Sequence, residues 1–418
     1  MPTGEEYRSW WLELWPHLTA AAILAVNVVT SAHAILTKRD TRATIGWVGL
    51  VWLSPLFGAI AYWVLGVNRL QRRASRMRAG GPRVERAMLA TAPGPDRLHA
   101  ALGPARSPMR GLAELVGRAT GTDLVDGNHV TPLDGGDEAY PRMIAAIENA
   151  NSSVALSTYI FDNDATGREF VDVLARAANR GVEVRVLVDG IGSSYTLPSI
   201  LGSLTGRGVR AERFLPASVP IYFPYANLRN HRKIMVVDGT TGFTGGLNIR
   251  EGCRLSRHPP HPVRDMHFEV CGPVVSHLMD VFVEDWAFAS GEELGGPCWE
   301  PRLLPAASDA GMLARGIRFG PDDSDLGRIK LVINGALAAA RESVRIATPY
   351  FLPDDGICEA LDVAAMRGVR VDIVRPAVSN LTMVGWASTA LLWKVLSRGC
   401  SVWMSPPPFD HSKLMVVD

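Results

Sequence analysis

The chain has 418 residues, of which 47% are apolar and 20% charged, and its formal net charge at pH 7 is only +1. This length predicts more than one domain. The near-neutral balance excludes a protein that binds polyanions over its whole surface. The apolar content fits a globular protein with some membrane-embedded length.

The numbers and positions of cysteine and lysine limit which disulfide, metal and catalytic sites the chain can form. The five cysteines are odd in number and widely spread: Cys253, Cys271, Cys298, Cys358 and Cys400. Their spacing contains no CxxC pair, so we expect reduced, mostly buried thiols in a cytosolic compartment and no zinc site. Only five lysines occur against 38 arginines, so a lysine at a motif position suggests a need for its compact ammonium group.

Two apolar runs, at 18–36 and 45–67, open the chain. Each is long enough to cross about 30 Å of hydrocarbon as a helix. Tryptophans precede the first run, as is typical of a membrane interface, and Pro55 and Gly58 predict a kink in the second helix. The runs therefore predict a transmembrane hairpin. A cleaved signal peptide, which the acidic leader disfavours, and a buried soluble hairpin are the alternatives.

Five arginines follow the second run: Arg69, Arg72, Arg73, Arg76 and Arg78. They outnumber the basic residues of the turn between the runs, which favours a multi-pass protein with cytoplasmic catalytic domains. They form either a solvated linker or a cluster that attracts anionic headgroups. Residues 71–125 are rich in Gly, Pro, Ala and Arg and read as a linker with room for one short helix.

The remaining chain contains an internal repeat of two corresponding segments. SSVALSTYIF at 152–161 corresponds to ESVRIATPYF at 342–351, and each copy continues through a helical segment to a glycine and a second β-branched run. Gly181 and Gly368 stand where the helices should end. The pattern predicts an α/β fold with β-α-β units around a mixed sheet.

We predict five segments from this organisation. They are an anchor at 1–70, a linker at 71–125, a first domain at 126–290, a connection at 291–320 and a second domain at 321–418.

Each copy ends in the pattern H-x-K-x4-D. The residues are His231, Lys233 and Asp238 in the first copy and His411, Lys413 and Asp418 in the second. His and Lys two apart on an extended strand face the same side, so two copies could offer two imidazoles and two ammoniums to one ligand.

This set of side chains suits a phosphodiester. The ammoniums offset phosphate charge, one imidazole can attack phosphorus, and the other can act as general acid and base. A carboxylate on the far ring nitrogen would fix the tautomer. The mechanism needs no metal and no cofactor, and the sequence signals none.

The paired motifs resemble those of the phospholipase D superfamily. The continuation GTTGFTGGLN after Asp238 is similar to the family's glycine turn and asparagine, which implies that Gly245, Gly246 and Asn248 help bind the phosphate. The resemblance further implies two pseudo-symmetric domains of this superfamily and His231 as nucleophile with His411 as acid/base, an order that could be reversed.

The same resemblance implies that each aspartate supports the histidine of the other motif. Asp418 would then orient His231, and Asp238 would orient His411.

The cardiolipin synthase branch of this superfamily is the most similar in layout. It has a two-helix anchor, and the segments at 227–249, 263–286 and 347–354 look like its sequence around the two motifs. This resemblance implies transfer of a phosphatidyl group between two phosphatidylglycerol molecules at the bacterial inner membrane.

The alternatives are a phospholipase D hydrolase, another phosphatidyltransferase, a nuclease and an inactive membrane interaction protein. No basic, aromatic-interleaved patch indicates nucleic-acid binding. Because the chain stops at Asp418, we expect a fragment or truncated product with weak or absent activity.

Other polar and aromatic residues are given ordinary roles. Arg264 and Asp265 suggest a structural ion pair or headgroup recognition, and Tyr350 and Phe351 suggest core packing. The apolar segment 214–228 is either a lip that meets lipid or a packed loop, and 382–399 is a core or interfacial helix. A surface or core role is expected for His17, His33, His99, His129, His258, His261, His267 and His277.

Overall fold

A computed structural model describes residues 4–38, 41–67, 107–215, 229–300, 311–320 and 323–418. Contacts divide the chain into two units, one with the helices within 4–67 and one with the described residues from 107 onward. The predicted arginine cluster, most of the linker and segment 216–228 lie outside the described residues.

The first apolar run forms a single long helix, α1 (Gly4–Thr37). Within it, Glu13–Thr37 is long and apolar enough to cross a membrane, with a mean hydropathy of 1.7. Trp11 and Trp15 are exposed at its start. The helix has the length and composition predicted for the first membrane span.

The second apolar run is helical but interrupted. It forms α2 (Thr41–Leu53), α3 (Phe57–Ala61) and a π-helical turn at Tyr62–Gly66. The break falls at Pro55, where a kink was predicted, because proline has no N–H for the helical ladder. Two short helices and a turn therefore take the place of one continuous second helix.

Polar side chains of α1 bond to aromatic residues of the second run. The indole N–H of Trp52 donates to Ser31 Oγ at 3.1 Å, and that of Trp63 donates to Thr30 Oγ1 at 3.1 Å. These bonds satisfy two hydroxyls that would be costly to expose to hydrocarbon. The polar residues of the first run therefore lie inside the helical unit.

An eight-stranded mixed sheet forms the first part of the second unit. Its strands are β1 (Val125–Asp134), β2 (Ser153–Thr158), β3 (Glu183–Asp189), β4 (Arg210–Phe214), β5 (Ile234–Val237), β6 (Thr241–Gly245), β8 (Met266–Cys271) and β9 (Met312–Ala314). The spatial order is β4-β3-β2-β5-β6-β8-β1-β9, and a two-residue strand β7 (Val263–Arg264) lies outside this sheet.

Helices cover both faces of this sheet. They are α5 (Gly135–Glu148), α6 (Ala165–Asn179), α7 (Ile200–Thr205) and α8 (Val275–Ser290). One hydrophobic cluster joins α5, α6 and α7 to one face, and a second, around Phe282 and Trp286 of α8, packs on the other.

A four-stranded sheet forms the second part, in the order β12-β11-β10-β14. Its strands are β10 (Ser343–Ala347), β11 (Arg370–Pro376), β12 (Ser401–Ser405) and β14 (Leu414–Val417). Its helices are α9 (Asp323–Ala339), α10 (Asp355–Met366) and α11 (Thr382–Leu396), and a two-residue strand β13 (Phe409–Asp410) precedes the second motif.

The two sheets repeat the same arrangement of four strands. In each, three parallel strands are followed by an antiparallel one, and Val154 opposite Val237 corresponds to Val344 opposite Val417. Gly181 and Gly368 both have φ +90° and directly follow the C-caps of α6 and α10. The internal repeat and both helix ends are as predicted.

Two segments outside the repeats also belong to this unit. Strand β9, within the predicted connection, adds an edge to the first sheet. Helix α4 (Ser107–Thr120), within the predicted linker, packs on α9, where Leu112 and Leu115 approach Gly335.

Helix α11 has two apolar faces with different surroundings. Leu392 and Val395 are buried in the core of the second repeat, whereas Trp386 and Trp393 are 70% and 65% exposed. The segment 382–399 therefore packs on the core and also presents tryptophan to its surroundings.

Candidate active site

The two H-x-K pairs precede equivalent strands, β5 and β14. Each strand lies beside the first strand of its repeat; β5 is buried throughout, and β14 is half-buried except at Val416. The same local bond holds each lysine: Lys233 Nζ donates to the carbonyl oxygen of His231 at 2.7 Å, and Lys413 Nζ to that of His411 at 2.9 Å. The repeat thus builds one imidazole–ammonium pair twice.

A short parallel pairing joins the second motif to the first repeat. Strand β13 pairs with β7, and the backbone N–H of His411 donates to the carbonyl oxygen of Arg264 at 2.8 Å. This bond fixes the position of the second imidazole relative to β7. Burial lowers the pKa of His231, and Lys413 and His411 lie close enough to its imidazole to add to that shift. The fold therefore brings His231, Lys233, His411 and Lys413 to one place.

His231 is held as a neutral imidazole. Its ring stacks on Tyr159, with centroids 4.2 Å apart and planes inclined by 22°. Desolvation by the surrounding protein, with smaller effects of the Lys233 and Lys413 ammoniums, lowers the pKa of His231 to about 4. A neutral ring at pH 7 keeps a lone pair for attack on phosphorus.

The two lysines differ in burial. Lys233 is buried, its Nζ lies 5.4 Å from the Tyr159 ring centroid, and burial together with the Lys413 ammonium lowers its pKa to about 7. Desolvation also lowers the pKa of Lys413, whose Nζ is 3.1 Å from His411 Nε2. An anion between the two ammoniums would offset this unfavourable concentration of positive charge.

Asp265 is the carboxylate partner of His411. Its Oδ2 lies 2.8 Å from His411 Nδ1, and its side chain is buried. This contact fixes the orientation of the ring, whose Nε2 lies 3.1 Å from Lys413 Nζ. The expected ion pair of Asp265 with Arg264 is wrong, because its carboxylate bonds to the histidine. The alternative, a part in headgroup recognition, stays a prediction.

The motif aspartates have a different role from the one the family resemblance implied. Asp238 accepts backbone N–H bonds from Asn151, Ser152 and Ser153 at 2.7–3.2 Å. Its carboxylate thus fixes the start of β2 and is not the partner of His411, so that expectation is wrong.

Asp418 does the same at the start of β10. It accepts the N–H groups of Arg341, Glu342 and Ser343 at 2.8–2.9 Å. The expected Asp418–His231 contact is therefore wrong as well. Both aspartates place their motif strand against the first strand of the repeat, and act on the site only through that position.

The predicted phosphate-binding residues shape the site around Asp265. A Cβ on Gly246 would overlap the Asp265 carboxylate, and Gly245, at φ +153°, lies against Met266 and His267. Asn248 Oδ1 accepts the Ile160 N–H at 3.0 Å. The glycines make room for the carboxylate, and a direct role of these three residues in phosphate binding stays a prediction.

Buried carboxylates hold the segment that carries His231. The Asn230 N–H donates to Asp189 Oδ2 at 2.9 Å, and its Nδ2 donates to Asp285 Oδ2 at 3.1 Å. Arg232 Nη1 donates to Asp285 Oδ1 at 2.6 Å. These bonds fix the backbone on both sides of the imidazole, which is the support that a preorganised site needs.

Three residues near the site were not predicted from the sequence to contact the motif histidines. Besides Asp265, they include Tyr159 under His231 and Tyr350, whose ring is 6.0 Å from that of His411. The expectation that Tyr350 packs in the core is wrong, although Phe351 is buried as expected. A carboxylate flanked by strand-like apolar residues was the one available signal, because a buried charge needs a partner.

The remaining expectations concern thiols, metals and other histidines. All five cysteines are unpaired, and each is buried or half-buried. Within the described ranges, no group of three His, Cys, Asp or Glu residues could hold a metal ion. His267 is buried behind the site, and burial lowers its pKa to about 3, in agreement with a core role.

A solved structure shares this architecture. The phosphatidylserine synthase of Haemophilus influenzae Rd KW20 superposes with a TM-score of 0.50 at 15% identity, over 69% of this chain and 76% of that one. At this identity the likeness concerns the fold alone. The fold and the two paired motifs define a two-repeat protein of the phospholipase D type.

Sequence comparison narrows the class to one family. The family model "Cardiolipin synthase, PLD-like domain" matches residues 143–255 and 333–418, and "Phospholipase_D-nuclease N-terminal" matches 25–66. Cardiolipin synthase A of Pseudomonas fluorescens (strain SBW25) is 32% identical over 96% of this chain and 83% of its own length. A cardiolipin synthase of Geobacillus kaustophilus (strain HTA426) is 30% identical over 97% and 79%.

The chain belongs to the cardiolipin synthase family of phospholipid-transferring enzymes. Its N-terminal apolar helix and these bacterial relatives indicate association with a membrane.

Replacing Asp265 by Asn tests its role as the partner of His411. Asn removes the carboxylate that fixes the tautomer and orientation of the ring, so turnover should fall by about 10²- to 10⁴-fold, the usual contribution of a general acid–base group. Asp172→Asn, at an exposed ion pair with Arg207, is the control and should keep normal turnover. Turnover of Asp265→Asn within twofold of the parent protein would contradict the assignment.

The low pKa of Lys233 predicts a pH dependence. Its charged form is lost as pH rises through about 7, so kcat/KM should fall above that pH. Arginine stays charged, so Lys233→Arg should shift this alkaline limb upward even if the absolute rate drops. Lys330→Arg, at an ion pair with Asp354, should leave the limb in place. An unchanged limb in Lys233→Arg would rule out Lys233 as its source.

Proposed function

We propose that the protein transfers a phosphatidyl group from one phosphatidylglycerol to another through a phosphohistidine, and releases glycerol and cardiolipin. The observation that carries the proposal is the unequal environment of the two converging imidazoles. His231 has a lowered pKa and stacks on a tyrosine, whereas His411 bonds to a buried carboxylate.

This difference supports a division of roles. A neutral His231 nitrogen attacks phosphorus of the donor, the N–P bond forms, and the bond from phosphorus to the glycerol oxygen breaks. His411, oriented by Asp265 through its Nδ1, gives a proton to that oxygen. Lys233 and Lys413 offset the charge that develops on the phosphoryl oxygens.

The second half reverses the first with a new alcohol. The terminal hydroxyl of another phosphatidylglycerol gives its proton to His411 and attacks phosphorus. The N–P bond breaks, and His231 returns to its neutral form. Two phosphatidylglycerol molecules thus give one cardiolipin and one glycerol, with no net change in protons.

The purified protein in phosphatidylglycerol vesicles tests this reaction. We expect cardiolipin and glycerol in equal amounts, identified by mass. Phosphatidic acid as the main lipid product would indicate hydrolysis instead. Cleavage of an oligonucleotide without any lipid product would favour a nuclease and overturn the proposal.

Trapping of the intermediate in the same assay separates the two histidines. His231→Ala should abolish the phosphatidyl-enzyme, and His411→Ala should still form it slowly because the nucleophile remains. Trapping that survives in His231→Ala but is lost in His411→Ala would reverse the two roles.

We further propose that the protein crosses the bacterial inner membrane twice, with its catalytic unit in the cytoplasm. The arginine excess after the second apolar run and the family resemblance support this topology. Protease added to inverted inner-membrane vesicles should degrade the catalytic unit, and added to intact spheroplasts should spare it. The opposite pattern would reject the orientation.

A further inference from the structure

A cavity of about 570 Å³ opens beside the paired motifs. Both repeats form it, and its polar lining includes Asn248, Arg250 and Asp265 from the first and Asn380 and His411 from the second. Of the four His and Lys residues of the two motifs, only His411 is among the described residues that line the cavity; His231, Lys233 and Lys413 are not. It therefore lies on the acid/base side of the site.

We propose that this cavity is the acceptor site, which holds the glycerophosphate headgroup of the second phosphatidylglycerol while His411 deprotonates its terminal hydroxyl. The inference rests on the proposed function and adds the location and chemistry of acceptor recognition. In an in-line displacement the leaving alcohol and the incoming alcohol occupy the same side of phosphorus, opposite the nucleophile.

The size of the cavity favours a lipid headgroup over glycerol alone. Glycerol has six non-hydrogen atoms, and even at about 30 Å³ for each, the share of one water molecule in the liquid, it needs at most roughly 180 Å³. The cavity offers about 570 Å³, which leaves room for a phosphate and the start of a second glycerol. A site used only for the release of glycerol would not need that volume.

Arg250 gives the cavity a cation for the acceptor phosphate. Its Nε lies 3.1 Å from Oδ2 of Asp162, and its side chain remains 31% exposed. In the described part of the chain, the hydrogen bonds of Arg250 run through its backbone and none through its two Nη groups, so both can donate to a ligand. Within the described residues Nε makes no hydrogen bond, so the contact with Asp162 is an ion pair, and the planar guanidinium can bind phosphate in a bidentate manner.

The remaining wall is rigid and largely apolar. It contains Pro260, Pro262, Pro376, Pro407 and Pro408 together with Val263, Val378 and Phe409. Proline fixes backbone φ, so this wall loses little conformational entropy when a ligand binds. A filled apolar cavity next to His411 also keeps water from the phosphatidyl-enzyme, which favours transfer to an alcohol over hydrolysis.

The competition between two acceptors tests this assignment. Purified protein in phosphatidylglycerol vesicles with labelled glycerol can return the phosphatidyl group to glycerol, giving labelled phosphatidylglycerol, or pass it to a lipid, giving cardiolipin. Glycerol carries no phosphate, so Arg250→Gln should lower the ratio of cardiolipin to labelled phosphatidylglycerol at least tenfold. Val378→Trp, which fills the cavity without changing charge, should shift the ratio in the same direction.

Arg142→Gln is the matched control, because Arg142 is half-exposed in an ion pair with Glu269 and does not line the cavity. Its product ratio should equal that of the parent protein. An equal loss of both products in Arg250→Gln would assign Arg250 to the donor or to folding, and an unchanged ratio in both cavity variants would also overturn the acceptor site. If the parent protein makes neither product, the proposed function itself has failed.

Discussion

The hydrogen bond between Asp265 and His411 connects the two repeats at the point where the chemistry is placed. A buried carboxylate is costly unless a donor or a cation satisfies it, and the imidazole of the other repeat is that partner. Several local features depend on this contact. Gly246 has no side chain where one would collide with the carboxylate, and the β7–β13 pairing carries His411 to it.

The duplicated motif gives the site two copies of the same His, Lys and Asp set. The surroundings of each copy make the two histidines different. Both lysines donate to the carbonyl of their own motif histidine, and both motif aspartates fix the first strand of their repeat. The two imidazoles differ in their surroundings, because one stacks on Tyr159 and the other bonds to Asp265. A symmetric scaffold can therefore supply a nucleophile and an acid–base group from the same motif.

Positive charge is concentrated where the two motifs meet. Burial and the neighbouring ammonium lower the pKa of Lys233 to about 7, and the cations of both motifs contribute to the lowered pKa of His231. A phosphodiester with its negative charge relieves this repulsion on binding. This concentration of positive charge suits a site for phosphate, and desolvation together with these cations keeps the His231 imidazole neutral at pH 7.

Much of this architecture was determined by local sequence patterns. The repeat, the helix ends at Gly181 and Gly368, the break at Pro55 and the two motif strands all follow from periodicity, glycine and proline chemistry and fixed spacing within short segments. Such signals act between residues close in the chain. They also identify the imidazoles and ammoniums, because the same H-x-K pattern occurs twice.

The partners of those groups were decided by tertiary structure alone. Asp265 and His411 are 146 residues apart, and no local pattern specifies which carboxylate meets which ring. The motif aspartates were assigned to the histidines by analogy. In the structure they instead accept hydrogen bonds from backbone N–H groups at the start of β2 and β10. Burial and hydrogen-bond competition are settled only when distant segments pack, so the sequence identifies the motif side chains and the fold determines how each is oriented and charged.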